Sequence, residues 1–471
     1  MDVDLTQLQG NIFRAYGRTY RAVRHLVLRV LDPAAADAAL ATMVDGDRST
    51  PEITRADRSP KDAGFAWCLN VGFTWRGLGA LGLPEASLGT FPPEFREGMV
   101  ARASRLGDVG DSAPAHWVAG LGETDNVHLV VTLHGRRPED LVEVSRQVLD
   151  AQGGRAFALV GPEPLDGEMF SGDDAERRVH FGYRDGISQP RFEGIHDEAR
   201  IPGLPFTPLG TILLGHPAPL PGVRWTVPQP EALGVDGTFN AFRVLGQDVA
   251  GFEGFLDATA ARLGCSAEEV AAKLCGRWRN GAPLALAPTE ADARNVAEDR
   301  LNGFGYAEAD GDGGRCPIGS HIRRTNPRDA HLVQRSTNEE REIIRRGMPF
   351  GPVYDPAVPD RGPVARGLLG NFLCASLAAQ FEAMQADWLN LGLQDPRITG
   401  TNDPLVGAND PMYSSATWTT AAGREVTVDG IPRFVRTLGG AYCFVPTVRA
   451  VQWIAGATGH DVHAGPTPLR R

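Results

Sequence analysis

No CxxC pair occurs in this 471-residue chain. Its six cysteines, Cys68, Cys265, Cys275, Cys316, Cys374 and Cys443, share no spacing typical of a metal site. So few, scattered so widely, they fit buried thiols in a reducing compartment better than a disulfide framework. No run of about 18 apolar residues exists, so no membrane-spanning helix is expected. The opening MDVDLTQLQGNIFRAYG has no basic region, apolar stretch or cleavage site of a secretory signal, which makes a cytoplasmic location the expectation. Positive charge is in deficit as well: 47 Lys and Arg against 58 Asp and Glu give a net charge of -11. Such a surface argues against nucleic acid or anionic membrane as partner. The GxSxG elbow, the P-loop and the HExxH helix are all missing. The acidic, glycine-rich stretch around 311–314 lacks the alternation of a calcium loop.

What is present is an ordinary globular composition, 42% hydrophobic and 22% charged, with 56 Gly and 35 Pro marking many loops. The length predicts two or more structural units at roughly 100–200 residues each. Gly and Pro are densest over 201–230, which reads as a connection with a short strand at 211–214 inside it. The two halves open alike. Residues 22–43 read as a strand, a turn at Asp32-Pro33 and an Ala-rich helix, and residues 239–262 repeat that order. Further strands are expected at 67–74, 127–134 and 440–446. A helix is expected over 376–391, with Leu377, Phe381, Met384 and Trp388 on one face. The expectation is an α+β fold built from a duplicated unit with an antiparallel sheet in each half.

Three motifs carry candidate chemistry. In FGYRDGISQP, Gly182 and Gly186 flank Tyr183, Arg184 and Asp185. The glycines permit a tight turn and close backbone approach to a ligand, with Asp185 projecting into a pocket. A plain turn capped by Asp185 fits the same residues. In CPIGSHIRRTNPR, His321 is followed by Arg323, Arg324 and Arg328. An imidazole can ligate iron, and arginines can hold carboxylates; a solvated basic loop is the alternative. In IIRRGMPFG, Arg345 follows two apolar residues and is expected to point inward, toward Asp185 or a cofactor-bound oxygen. A charged helix end after Glu339, Glu340, Arg341 and Glu342 is the other reading.

Taken in order, these motifs resemble the dye-decolorising peroxidase family. Gly182, Asp185 and Gly186 match its GxxDG signature, and His321 to Arg328 match its HxRxxNPR segment. Arg345 matches its distal arginine, with Phe350 where tyrosine is usual. Arg366-Gly367-Leu368-Leu369, continuing to Gln380-Phe381-Glu382, resembles its RGLLF...QFE segment, and LQGNI at 8–12 resembles the start of its longer members. The resemblance implies two ferredoxin-like halves of the dimeric α+β barrel type. One is an N-terminal domain, 1–215, carrying the GxxDG loop near its end. The other is a C-terminal haem-binding domain, 216–471. It implies haem b as cofactor, hydrogen peroxide as oxidant, and dyes, phenols or other aromatic small molecules as reductants.

The resemblance also implies roles. Asp185 becomes the distal acid–base residue and Arg345 the group stabilising peroxide and its charge. His321 becomes the proximal iron ligand. Its second ring nitrogen is expected to donate to Asp403, or failing that to Glu382. Gly186, Ile187 and Leu368 are expected beside the haem, and Arg324 at a propionate, with Arg323 and Arg328 as alternatives. There is one departure: the phenylalanine that follows RGLL in the family falls on Gly370, which predicts a wider distal pocket. Trp388 and Trp453 are candidate surface electron relays or ordinary packed residues. A haem-storage protein is the competing function, but storage requires neither Asp185 nor Arg345. A related chlorite-type enzyme is disfavoured by the GxxDG aspartate.

Overall fold

The computed structural model describes residues 3–16, 19–46, 49–59, 64–170, 177–196, 206–220, 222–332, 338–358, 365–420 and 423–456. The first half begins with β1 (Ala22–Val30), whose alternating apolar residues are almost all buried. It ends at Asp32, which caps helix α1 (Pro33–Asp45) by accepting the N–H groups of Ala34 and Ala35, with Pro33 in the first turn. Then come β2 (Trp67–Phe73), β3 (Leu129–Gly135), helix α2 (Val142–Leu149), β4 (Phe157–Leu159) and the short β5 (Leu165–Glu168). The second half runs β6 (Thr238–Gln247), α3 (Val249–Leu263), β7 (Ile344–Phe350), β8 (Gly367–Cys374) and β11 (Val435–Val445). A separate hairpin pairs β9 (Ser415–Thr419) with β10 (Glu425–Asp429).

The strand orders are β4-β1-β3-β2 in the first half and β11-β6-β8-β7 in the second. Counted within each half, both read fourth, first, third, second, so the duplicated openings belong to duplicated topologies. The expected separate sheets are joined into one. β2 meets β11 through the single pair Phe73–Phe444, which removes two open edges at once. At the other end β5 pairs with β1 and lies against β7. A Cβ at Gly167 would sit 2.8 Å from the carbonyl oxygen of Pro349, so the sheet curves back on itself.

Two local expectations are corrected. Residues 211–214 are not a strand. A 3-10 turn, Leu209–Thr211, leads into further turns, and Ile212, Leu213 and Leu214 are apolar because they are fully buried. Of the 201–230 connection, 201–205 and 221 lie outside the described residues. The helix expected over 376–391 winds as two π-helical segments, Leu377–Glu382 and Met384–Asn390. Leu377, Phe381, Met384 and Trp388 still face the core. Trp388 is therefore not a surface aromatic, and Trp453 is half-buried against the main core.

Candidate active site

Gly182 and Gly186 both adopt left-handed φ, 80° and 76°, a region open to glycine at little cost. Arg184 N–H donates to the Arg279 carbonyl at 3.0 Å, and Asp185 N–H donates to the Arg177 carbonyl at 2.8 Å. The backbone of the loop is thus held on both sides while the Asp185 side chain faces a cavity of about 430 Å³. That carboxylate has no hydrogen bond or ion pair among the described residues.

Arg345 lies on β7, not at a helix end. Its N–H donates to Gln189 Oε1 at 3.1 Å and its carbonyl accepts from Gln189 Nε2 at 3.1 Å. Its guanidinium donates to the Ser188 carbonyl. The strand is stapled to the loop that carries Asp185, and both side chains line the same cavity. The inward-pointing arginine is therefore exposed to the cavity and pairs with a carbonyl, not with Asp185.

His321 opens a short helix, α4 (His321–Thr325). Its Nδ1 lies 3.0 Å from Asp403 Oδ2. Asp403 is fully buried, and its other oxygen accepts the N–H groups of Leu405 and Val406, each at 2.9 Å. Burial opposes its charge, but His321 beside it, then Arg324 and the Val406 N–H, hold it below the usual carboxylate range. A carboxylate there requires Nδ1 to carry the proton, so the Nε2 lone pair is left for a ligand. Glu382 does not reach His321: it is buried against Arg102 at 2.5 and 2.6 Å and Tyr442 at 2.9 Å.

Arg324 is a correction. Its guanidinium is buried and consumed by the carbonyls of Gly319, Trp388 and Thr401 and by the Thr401 hydroxyl. Burial pulls its pKa down to about 10, and it does not line the cavity. Arg323 is likewise spent on Asp310 and the Cys316 carbonyl. Of the three arginines only Arg328 lines the cavity, held by the carbonyls of Asn302 and Phe304 and by Asn302 Oδ1.

The cavity brings together Asp185, Gly186, Ile187, His321, Arg345 and Leu368, with Asp403 behind His321. Gly370 lines it too, yet its space is not vacant, because the ring of Phe372 leans over it. Residue reasoning missed Arg341 and Glu342 as cavity-lining groups, having placed them on a charged helix end. Glu342 accepts the Thr207 hydroxyl at 2.6 Å, and burial raises its pKa to about 7. A clue lay in its place directly before the apolar pair Ile343-Ile344.

An imidazole backed by a buried carboxylate, apolar walls at Ile187, Leu368, Leu389 and Leu405, and cations at Arg328, Arg341 and Arg345 form one donor set. That chemistry fits a flat, apolar, dianionic macrocycle with an iron centre.

No family model matches the chain. A dye-decolorizing peroxidase of Mycena epipterygia is 30% identical over 452 residues, covering 87% of this chain and 79% of that protein. The chain belongs to the dye-decolorising peroxidase family. A multifunctional dye peroxidase of Amycolatopsis sp. is 29% identical, with 94% of each chain covered. A solved dye-decolorizing peroxidase in complex with 2,6-dimethoxyphenol superposes with a TM-score of 0.80 at 29% identity, covering 96% of this chain and all of that one. A cyanide complex of an Asp-to-Asn variant gives 0.80 at 28%, with 97% and 100% covered. This family is one of haem peroxidases, so the chain is an enzyme of the peroxidase class with the α+β fold of that family. Among the described residues no helix is long and apolar enough to cross a membrane.

Proposed function

We propose that the cavity binds haem b, with His321 Nε2 as iron ligand, and reduces hydrogen peroxide on the side where Asp185 and Arg345 stand. The observation that carries this is the convergence of Asp185, Arg345 and the His321–Asp403 pair on one cavity. Haem, when bound, would supply a redox-active iron as the electron source for peroxide reduction. Asp185, a carboxylate with no competing partner among the described residues, accepts a proton from one peroxide oxygen and returns it to the other, so that water departs. Arg345 stays charged throughout and offsets the negative charge that develops on the separating oxygens. Asp403 fixes the His321 tautomer and raises its basicity as a ligand. Arg328 and Arg341 are the arginines available to the propionates.

Dyes, phenols and other aromatic small molecules are the proposed reductants. Relatives are named for dyes, and a related structure holds a phenol. The division into an N-terminal domain, 1–215, and a haem-binding C-terminal domain, 216–471, belongs to the same proposal, and the repeated strand order supports it.

The test is to load the protein with haem, add peroxide, and follow the Soret and long-wavelength bands together with dye bleaching. Asp185→Ala and Arg345→Leu are expected to slow the peroxide step by about 100-fold or more, and His321→Ala to impair haem retention. Unchanged peroxide kinetics in both distal variants would falsify the assigned roles.

A further inference from the structure

β7 and β8 set two glycines, Gly347 and Gly370, directly opposite each other. Side chains alternate between the faces of a sheet. The neighbouring pairs on this face are therefore Arg345–Phe372 on one side and Pro349–Leu368 on the other. Arg345, Gly347, Leu368, Gly370 and Phe372 all line the cavity. The glycine pair thus leaves a patch of bare backbone beside Arg345.

One half of that patch is covered. A Cβ at Gly370 would meet the Phe372 ring at 2.8 and 3.1 Å, whereas a Cβ at Gly347 would find its nearest neighbour at 3.8 Å. The ring leans along β8 over Gly370 instead of standing straight off the sheet. It is held there by Phe381, with ring centroids 5.6 Å apart. The small Ala241, opposite Phe372 on β6, adds no bulk on that side. A ring at 372 could not take this position over any residue but glycine at 370.

We propose that Phe372 is the steric gate of the peroxide side: it admits peroxide and small anions to Arg345 and Asp185 and excludes ring-sized molecules. This rests on the assignment of that side to peroxide. The gate is therefore a specificity-determining residue, and aromatic reductants are kept off the two groups that handle the proton and the charge.

The test uses ferric, haem-loaded protein titrated with cyanide and with imidazole, followed by the shift of the Soret band. In Phe372→Ala, imidazole affinity is expected to rise about tenfold, the scale on which a pocket discriminates by a few carbon atoms, while cyanide affinity stays within about twofold. Phe372→Leu, which keeps apolar packing against Phe381, carries the same direction and decides the matter if the alanine variant does not hold haem. Unchanged imidazole affinity in the variants overturns the gate. Arg345→Leu separates the two ideas, because it should weaken cyanide. If it does and imidazole ignores Phe372, the gate alone falls. If cyanide ignores Arg345, the assignment of the peroxide side falls with it.

Discussion

At the scale of single residues, Glu342 illustrates how environment sets chemistry. It is held by Thr207, and burial lifts its carboxyl from the ordinary 4.5 to about 7. The raised folded-state pKa means that the unfolded chain releases this proton at lower pH than the folded one. The contribution to stability is complete below about pH 4.5 and is lost as pH rises toward 7. Glu342→Gln should therefore flatten the fall in thermal stability across that window and raise the melting temperature at pH 8. The effect at stake is on the order of 3 kcal/mol. Thermal unfolding of both proteins at pH 4.5 and pH 8 checks it, and parallel curves would contradict it.

Which residues were legible from sequence follows the same logic. Asp185 and His321 were singled out by motif order, whereas Asp403 was the first of two candidate partners for the imidazole, and it is the one that lies 3.0 Å from His321. Arg324 was misplaced because sequence proximity to His321 says nothing about where a guanidinium's N–H donors go, and here they go to three carbonyls and the Thr401 hydroxyl. Gly370 was read as a void because a missing side chain is visible in sequence and a neighbour that fills its place is not.

At the scale of elements, the strands were legible because apolar alternation and the Asp32-Pro33 cap are local signals. The 211–214 segment failed for the complementary reason: a short apolar run reports burial, and burial does not choose between strand and turn. The π-helical winding of 377–390 kept its buried face, so the apolar spacing located the element without revealing its pitch.

In the proposed function the GxxDG loop is the element that positions Asp185, and its cost is local. Gly186 at φ 76° has no heavy atom nearer to a would-be Cβ than Arg177 Nη1 at 3.7 Å. Gly186→Ala therefore meets strain without collision, about 1–2 kcal/mol for a left-handed non-glycine residue. The expected outcome is a modest loss of melting temperature with a much larger loss in the peroxide step, as the loop relaxes and carries Asp185 away from Arg345. Equal losses in both would point to a purely structural role.

For the molecule as a whole, the two halves are sewn together by more than the Phe73–Phe444 pair. Arg243 on β6 is buried, and Asp108 from the first half takes two of its N–H groups at 2.6 and 2.7 Å. The Thr437 hydroxyl accepts a third at 2.7 Å. Removing the carboxylate strands a buried guanidinium, so Asp108→Ala should destabilise by about 3–5 kcal/mol. Urea unfolding measures it, and a loss below about 1 kcal/mol would show that the pair behaves as a surface bridge. Neither partner was marked by any motif, because a contact across 135 residues leaves no local pattern.

Gln9 makes a second stitch, with its amide nitrogen donating to the carbonyls of Val71 and Pro446 and its amide oxygen accepting the Val71 N–H. β11 lies in the middle of the sheet although it is the last strand in chain order, and it supplies Val435 and Thr437 to the cavity wall. During synthesis the residues that leave the ribosome first must wait for those that leave almost last. The sheet cannot be joined, nor the cavity wall completed, until β11 has emerged, so the haem capture proposed above is expected to be a late event in the life of the chain. A ribosome stalled before β11 should carry a chain sensitive to protease and unable to retain haem.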